Sequence, residues 1–304
     1  MEPHNVIALG FFDGVHLGHQ ALLRMAKHRA EALGLPAMAL SFAAHPSALI
    51  TGKQIPLLST PAERERLLRA SVERVVFLPF DRAMLLTEWD IFLDEILMKQ
   101  YHAAAVVCGY DYRFGHGGQG TAQKLQVACE QRGIGCDVLP PVTLDGITVS
   151  STHIRSLLAE GQVAQARRFL GHPYALTGTV IHGAGLGRTM GSPTANLRPD
   201  PSLLLPCRGV YITAAHTAQG QFPALTNIGC RPTVGGTDST VESWLLGYEG
   251  SLYGQPLRLE FLEYLRPEKK FDTISALQAE IRDNAQAARA YFAQCGHMES
   301  EEQA

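Results

Sequence analysis

The chain of 304 residues is long enough for about two domains of ~150 residues, each able to bury its own core. Its 26 basic and 29 acidic residues give a net charge of −3 with no basic tract, which argues against nucleic acid or an anionic membrane as a partner. No signal peptide is recognisable, no apolar run approaches the ~18 to 20 residues of a membrane span, and the six cysteines form no C-x-x-C pair. We therefore expect a cytoplasmic protein that acts on small molecules. The sequence does not indicate its oligomeric state.

The first half of the chain alternates short apolar runs with amphipathic stretches. Strands are predicted over residues 6–9, 37–42, 74–78, 104–108 and 135–139, and helices over residues 19–33, 61–71, 88–100 and 121–132. This alternation predicts a mostly parallel sheet with right-handed crossovers and flanking helices. Ligands of such sheets gather at the carboxyl ends of the strands.

The second half has a different character. Two more helices are predicted over residues 151–160 and 163–170, and the breaker cluster at 171–173 marks a boundary between domains 1–172 and 173–304. Strands without intervening helices then follow over residues 176–182, 194–197, 209–215, 222–227, 239–246 and 257–263. This spacing favours an antiparallel β-barrel, which a helix over residues 274–292 closes before a frayed polar tail at 298–304.

A strand-to-helix turn near the N-terminus carries two histidines. The segment G-F-F-D-G-V-H-L-G-H (residues 10–19) follows the first strand and places His16 and His19 three residues apart at the start of a helix. Helix N-termini bind phosphates readily, and Gly18 lets the backbone come close. Capping histidines, surface histidines or a metal pair are the alternatives; the upstream glycines and Asp13 favour a nucleotide-phosphate site.

Polar groups also follow other predicted strands. The segments 41–46 and 108–115 end the second and fourth strands, and S-S-T-H-I-R (residues 150–155) places hydroxyls and Arg155 at a helix start. Hydroxyls alone are ordinary N-caps, whereas hydroxyls with a guanidinium suit a triphosphate. The segment G-H-G-G-Q-G (115–120) matches the dinucleotide fingerprint only literally, because it does not open the first βα unit, and we interpret it as a mobile loop at the mouth of the site.

Two segments of the second half carry further candidates. Thr194 and Asn196 offer two hard oxygens on one strand face, which suits Mg²⁺, although a polar turn before a surface strand is the alternative. In residues 240–246, Glu242 shares a strand face with Trp244 and Leu246, and a buried acid there would need a partner or a proton unless the whole face is exposed.

The motifs of the first half resemble a known module. G-F-F-D-G-V-H-L-G-H, C-G-Y-D-Y-R-F-G and S-S-T-H-I-R, in this order, are similar to the FMN adenylyltransferase module of the bacterial bifunctional riboflavin kinase/FAD synthetase family, a Rossmann-like domain of the H-x-G-H nucleotidyltransferases. The resemblance implies that His16, His19 and Arg155 act on the ATP phosphates. It further implies nucleotide or flavin contacts at Gly10, Phe12, Asp13, Gly14, Gly18, Gly109, Asp111, Ser151 and Thr152.

The second half resembles the riboflavin kinase module of the same family. Its motifs are G-T-V-I-H-G, G-R-T-M-G-S-P-T-A-N, G-V-Y, N-I-G-C-R-P-T, V-E-S-W-L-L, L-Y-G and L-R-P-E-K-K-F. The resemblance implies that Thr194 and Asn196 hold Mg²⁺ with ATP and that Glu242 is the base for the ribityl 5′-hydroxyl. It also implies ATP or flavin contacts at Gly183, Gly187, Arg188 and Arg266.

The implied function is flavin cofactor synthesis at two sites. The barrel converts riboflavin and ATP to FMN and ADP, and the N-terminal domain converts FMN and ATP to FAD and diphosphate. This chain departs from the common family pattern at Ala43, Ala44, Ser192, Gly247 and Ser251. The alternatives are an adenylyltransferase with an impaired kinase, a non-catalytic flavin sensor, and a fragment of an H-x-G-H aminoacyl-tRNA synthetase, which the charge balance and the absence of K-M-S-K-S disfavour.

Overall fold

A computed structural model describes residues 4–183, 193–233 and 236–301, with the side chains of 231–238 and 295–301 left aside. The chain divides into two compact units, Met1–His153 and Ile154–Ala304. This division falls inside a helix, earlier than the turn at 171–173. The predicted domain boundary at 172/173 stays a prediction.

The first unit is built on a parallel sheet. Its strands are β1 (Asn5–Leu9), β2 (Ala37–Phe42), β3 (Arg74–Leu78), β4 (Ala103–Gly109), β5 (Arg113–Phe114), β6 (Gly120–Thr121), β7 (Gly135–Leu139), β8 (Thr143–Leu144) and β9 (Ile147–Thr148). Five of them form a sheet in the order β3-β2-β1-β4-β7 with every pair parallel, and β5–β6 and β8–β9 are small antiparallel pairs. The predicted parallel sheet is confirmed.

Helices cover both faces of this sheet. They are α1 (Leu17–Leu33), α2 (Ser47–Thr51), α3 (Pro61–Arg69), α4 (Arg82–Leu86), α5 (Trp89–Ile91) and α6 (Ala122–Gln131), and α5 continues as a π-helix over Phe92–Gln100. Val6 and Ala8 of β1 pack into the cluster that contains Leu23 of α1, whereas Ile7 packs on the opposite side with Leu97 of the π-helix. Because both faces are covered, β1 is buried at every position and shows no polar alternation.

The strand order fixes where a ligand can bind. The chain runs from β1 outward through β2 to β3, and then returns to place β4 on the other side of β1. The loops after β1 and β4 therefore leave the sheet edge in opposite directions and open a crevice between them, which is the usual ligand site of such sheets.

The second unit contains a closed antiparallel barrel. Its elements are α7 (Ser151–Ala159, which begins in the first unit), α8 (Val163–Leu170), β10 (Tyr174–Ile181), β11 (Ala195–Pro199), β12 (Gly209–Thr217), β13 (Gly220–Thr233), β14 (Gly236–Leu245), β15 (Pro256–Arg266) and α9 (Ile274–Glu301). The strands close in the order β10-β11-β14-β13-β12-β15, so the predicted barrel is confirmed.

The barrel strands have two distinct faces. Thr213, Thr226 and Ser243 are fully buried and joined by hydrogen bonds of 2.7 and 2.9 Å between their hydroxyls. Apolar residues of β12, β13 and β15 pack in a separate cluster with Ala285 and Ala288 of α9. The closing helix is thus placed on the barrel as predicted. The prediction of a frayed tail from 298 was wrong as far as Glu301, because α9 continues to that residue.

Within the described ranges, no helix is long and apolar enough to cross a membrane.

Candidate functional site

The two histidines lie at the start of α1, after a turn with unusual backbone geometry. Phe12 and Val15 adopt positive φ angles of 58° and 41°, which residues other than glycine rarely do. His16 is the N-cap of α1, and its Nδ1 accepts the backbone N–H of His19 at 3.3 Å. The two rings stack with their centroids 3.6 Å apart and their planes 16° from parallel. The turn therefore holds both imidazoles at one helix N-terminus.

The Asp13 side chain holds this turn in place through hydrogen bonds. Its buried carboxylate accepts the backbone N–H groups of Leu58 at 2.9 Å and Ser59 at 3.1 Å. The Ser59 hydroxyl in turn accepts the N–H of Gly14 at 2.9 Å, and the Ser151 hydroxyl donates to the carbonyl of Asp13 at 3.1 Å. The Asp13 side chain thus ties the turn to the loop before α3.

Two cavities meet at His19. The first, of about 310 Å³, is polar at one end and is lined by His16, Gly18, His19, Leu22, Gly109, Tyr110, Asp111, Leu139, Pro140, Pro141, Val142, Thr148, Val149, Ser150, Ser151 and Thr152. The second, of about 280 Å³, is rich in aromatic rings and is lined by Leu9, Gly10, Phe11, His19, Leu22, Leu40, Ser41, Phe42, Pro46, Leu78, Phe92, Gly109, Asp111, Tyr112 and Arg113. His19, Leu22, Gly109 and Asp111 belong to both linings. We call these the polar cavity and the aromatic cavity.

The charge state of His19 follows from its surroundings. Burial, with smaller contributions from the neighbouring charges of His16 and Arg64, lowers the pKa of His19 well below its usual value. Its Nδ1 is buried, and no group within the described residues hydrogen-bonds to it. At neutral pH the His19 ring is therefore uncharged.

The other residues that were predicted for the adenylyl-transfer site fall into three groups. Gly10, Gly18, Gly109, Asp111 and Thr152 line a cavity, together with Ser151. Phe12, Asp13 and Gly14 lie in the turn and line neither cavity, so they shape the site from outside it. Arg155 lies on α7, one turn after Ser151, in the part of that helix that belongs to the second unit.

The second unit carries a larger cavity beneath α9. It has a volume of about 410 Å³ and is lined by Thr194, Val210, Leu225, Asn227, Glu242, Trp244, Arg266, Glu268, Lys269, Phe271, Leu277, Ile281 and Asn284. Glu242 on β14 stands opposite Asn196 of β11 and Asn227 of β13 in the strand register. Glu242 and Trp244 are half-buried on the face toward this cavity, whereas Val241 and Ser243 are buried. We call this the barrel cavity.

Arg266 enters this cavity from the end of β15. Its guanidinium pairs with Glu280 of α9 at 2.7 Å and lies over the ring of Phe271, 5.8 Å from the centroid. Lys269 pairs with the same carboxylate, and these cations lower the pKa of Glu280. The carboxylate thus fastens the segment after β15 to the closing helix.

The predicted cation ligands lie at the entry to β11. Thr194 lines both the barrel cavity and a smaller neighbouring cavity of about 110 Å³. A Cβ on Gly183 would lie 2.2 Å from the side-chain nitrogen of Asn196, so only glycine allows this close approach. Thr194 and Glu242 line the same cavity, and Asn196 lies opposite Glu242 in the strand register without being part of that lining. The side-chain oxygens of these three residues are of the kind that Mg²⁺ prefers. In the described part of the chain, no group of three His, Cys, Asp or Glu side chains could hold a metal.

Part of the predicted site cannot be placed. Gly187 and Arg188 of the glycine-rich loop, and Ser192 beside it, lie outside the described residues.

Sequence reasoning missed several residues that build these sites. Phe11 and Tyr112 of the aromatic cavity lie within the segments 10–19 and 108–115, but their aromatic rings give no separate signal in the sequence. Ser59 and Arg64 lie 45 and 53 residues from the turn residues that they contact, so no local pattern could have found them.

The fold and the two sites together define a class. The first unit is a parallel α/β domain with a polar cavity at a helix N-terminus, and the second is a barrel with a carboxylate near hard oxygen donors. These features are typical of a two-domain transferase that acts on phosphate-bearing substrates. Comparisons with known proteins identify the family. The family model described as FAD synthetase matches residues 1–153, and the model described as riboflavin kinase matches residues 170–292.

Relatives match along nearly the whole chain. The bifunctional riboflavin kinase/FMN adenylyltransferase of Haemophilus influenzae is 35% identical over 94% of this chain and 94% of its own length, and that of Listeria monocytogenes is 34% identical over 96% and 94%. A crystal structure described as a macrolide-efflux protein from Streptococcus pneumoniae has a TM-score of 0.87 at 30% identity and covers 95% of both chains. The chain belongs to the bifunctional riboflavin kinase/FMN adenylyltransferase family, and both catalytic domains of that family are present in it.

Proposed function

We propose that the first unit transfers the adenylyl group of ATP to FMN, and that the second unit transfers the γ-phosphate of ATP to riboflavin. The observation that carries the first assignment is the shared wall of the polar and aromatic cavities at His19. A nucleotide in one cavity and a flavin in the other would bring their phosphates together at that wall, where adenylyl transfer needs them.

In the first unit the chemistry requires no protein nucleophile. An oxygen of the FMN phosphate attacks the α-phosphorus of ATP, the bond to the β-phosphate oxygen breaks, and diphosphate leaves. Charge that develops on the α-phosphate and the leaving group would be stabilised by His16, His19 and the N–H groups at the start of α1. Ser151 and Thr152 line the polar cavity and suit the β- and γ-phosphates, with Arg155 one turn further on.

The electrostatic role of His19 needs one refinement. Fixed positive charge is the simplest expectation for such a site, but the lowered pKa of His19 makes it a neutral donor before ATP binds. A polyphosphate beside the ring favours the protonated form, so binding would raise the pKa and draw in a proton.

In the second unit, phosphoryl transfer to riboflavin needs a general base and a bound cation. Glu242 accepts the proton of the ribityl 5′-hydroxyl, whose oxygen attacks the γ-phosphorus while ADP leaves. Thr194 and Asn196 would hold Mg²⁺, which neutralises phosphate charge when it is bound. Trp244 and Phe271 provide the apolar surface that a flavin ring needs in the barrel cavity, and Arg266 lines the same cavity.

We place this chemistry in the cytoplasm, on small-molecule substrates. The five cysteines that the structure describes are free thiols, which suits a reducing compartment.

Product analysis tests the proposal. Purified protein is incubated with riboflavin, ATP and Mg²⁺, and flavins and nucleotides are separated by chromatography. We expect FMN with one ADP each, followed by FAD with one diphosphate each. If neither FMN nor FAD forms, the proposal is contradicted and a flavin sensor is favoured.

A second candidate keeps only the adenylyltransferase. Gly247 is exposed in a left-handed conformation, and Ser251 lines the smaller cavity beside Thr194, at positions where the family commonly has acids. FAD from supplied FMN, with no FMN from riboflavin, would select this candidate.

A further inference from the structure

Arg64 is an arginine with no exposed surface, although it belongs to a helix on the outside of the sheet. It is fully buried, and its guanidinium donates only to backbone carbonyls in the described contacts. Nη1 donates to Phe11 at 3.0 Å, and Nη2 donates to Phe42 at 2.9 Å and to Ala43 at 3.1 Å. These carbonyls lie at or just after the carboxyl ends of β1 and β2, so one cation joins the two strand ends that border the aromatic cavity.

The same guanidinium holds aromatic rings. It lies over the ring of Phe11, 4.2 Å from the centroid, and over that of Phe77, 5.0 Å from the centroid. Phe11 meets His45 edge to face with 4.6 Å between centroids, and its carbonyl accepts the Ser41 hydroxyl at 2.9 Å. Arg64 is therefore the centre of a set of contacts that fixes how Phe11 faces the cavity.

Retaining a buried cation here is costly, which indicates that its contacts matter. Burial lowers the pKa of Arg64 to about 10, partly offset by the charge of Asp13, so the side chain stays protonated at neutral pH. An apolar side chain would fill the same space without desolvating a charge. It would remove the guanidinium donors of three carbonyl oxygens, leaving that of Phe11 with the Ser41 hydroxyl, and it would take the cation away from the Phe11 ring.

We propose that Arg64 is a positioning residue for the flavin substrate of adenylyl transfer. It lines neither cavity and acts through Phe11 and Phe42, whose side chains form part of the aromatic wall. The inference rests on the proposed function of the first unit. It predicts that Arg64 governs the use of FMN and not that of ATP, because the polar cavity has neither Phe11 nor Phe42 in its lining.

The test compares Arg64→Lys and Arg64→Met with the wild type and with Arg69→Met, a change at an exposed arginine of the same helix that pairs with Glu65. KM and kcat are measured separately for FMN and for ATP, and riboflavin phosphorylation in the same preparation serves as the internal control. We expect KM for FMN to rise at least ~10-fold in Arg64→Met, the effect of losing one hydrogen bond to a charged group. KM for ATP should change less than about threefold, and Arg64→Lys should recover part of the loss by keeping the charge.

Several results would overturn the inference. Equal changes in both KM values, or a fall in kcat alone, would assign Arg64 a general structural role. So would loss of the cooperative unfolding transition in both Arg64 variants. A wild type that makes FMN but no FAD would instead reject adenylyl transfer itself, and the inference with it.

Discussion

We expect the first reaction to depend on the two stacked histidines, His16 and His19. His16 uses Nδ1 to cap α1, whereas the Nδ1 of His19 is buried and has no hydrogen-bond partner within the described residues. The His19 residue lines both cavities. We therefore expect the two rings to have different roles, with His19 contacting a phosphate at the wall that the two cavities share.

Replacing His19 by alanine should remove most adenylyl transfer. One preorganised donor to a developing charge is worth ~10² to 10³ in rate, and we expect FAD formation from supplied FMN to fall by that factor. His28→Ala, at an exposed histidine of the same helix, is the matched control. Near-normal FAD formation by His19→Ala would remove this ring from the mechanism.

Glu242→Gln should separate the two activities. An amide cannot accept the hydroxyl proton, so we expect FMN formation to fall ~10²- to 10⁴-fold while supplied FMN is still adenylylated. Glu249→Gln alters an exposed carboxylate further along the same segment and should leave both rates unchanged. Retained kinase activity in Glu242→Gln would assign the base to another group.

At the scale of elements, much was predictable because long apolar or periodic segments carry their own signal. All five strands of the sheet and the six strands of the barrel form where they were predicted, although β13 (Gly220–Thr233) extends six residues beyond its predicted end at 227. The pairs β5–β6 and β8–β9 were missed because strands of two residues show no alternation. The π-helix over Phe92–Gln100 was predicted only as a helix, because its wider hydrogen-bond spacing leaves no mark in the sequence pattern.

The sites were predictable to a smaller extent. The strand-to-helix turn with His16 and His19 could be found from spacing, because helix-terminus chemistry is local. The contacts that hold the turn depend on residues far along the chain, such as the Ser59 hydroxyl that reaches Gly14, and only the folded chain brings these together. The division of the crevice into two cavities likewise depends on residues that only folding brings together.

The close approach of Gly183, which follows β10, to Asn196 of β11 offers a test at the scale of elements. Gly183→Ala would place a Cβ 2.2 to 2.6 Å from the Asn196 side-chain atoms, so Asn196 must move. We expect riboflavin phosphorylation to fall at least ~10-fold, as is usual when a metal-holding side chain is displaced, with a raised Mg²⁺ requirement. Adenylylation of supplied FMN in the same sample should be unchanged. An unaltered Mg²⁺ dependence would show that Asn196 does not hold the cation.

At the scale of the whole molecule, the buried histidine makes stability depend on pH. The pKa of His19 is well below 6.5 in the folded chain, so between 6.5 and that lower value the unfolded chain binds a proton that the folded chain does not. Stability should therefore fall as pH falls through this window. In calorimetric scans from pH 8 to pH 5, the transition of the first unit should lose less Tm in His19→Ala than in the wild type. Identical pH slopes would mean that His19 is not held neutral.

Mixing two variants tests the central claim that each unit holds one complete site. His19→Ala alone should convert riboflavin and ATP to FMN with almost no FAD, and Glu242→Gln alone should leave riboflavin unchanged. Together they should produce FAD, because FMN released by the first protein reaches the second through solution. Rapid FAD formation from riboflavin by either variant alone, or a mixture that accumulates FMN without making FAD, would contradict the account.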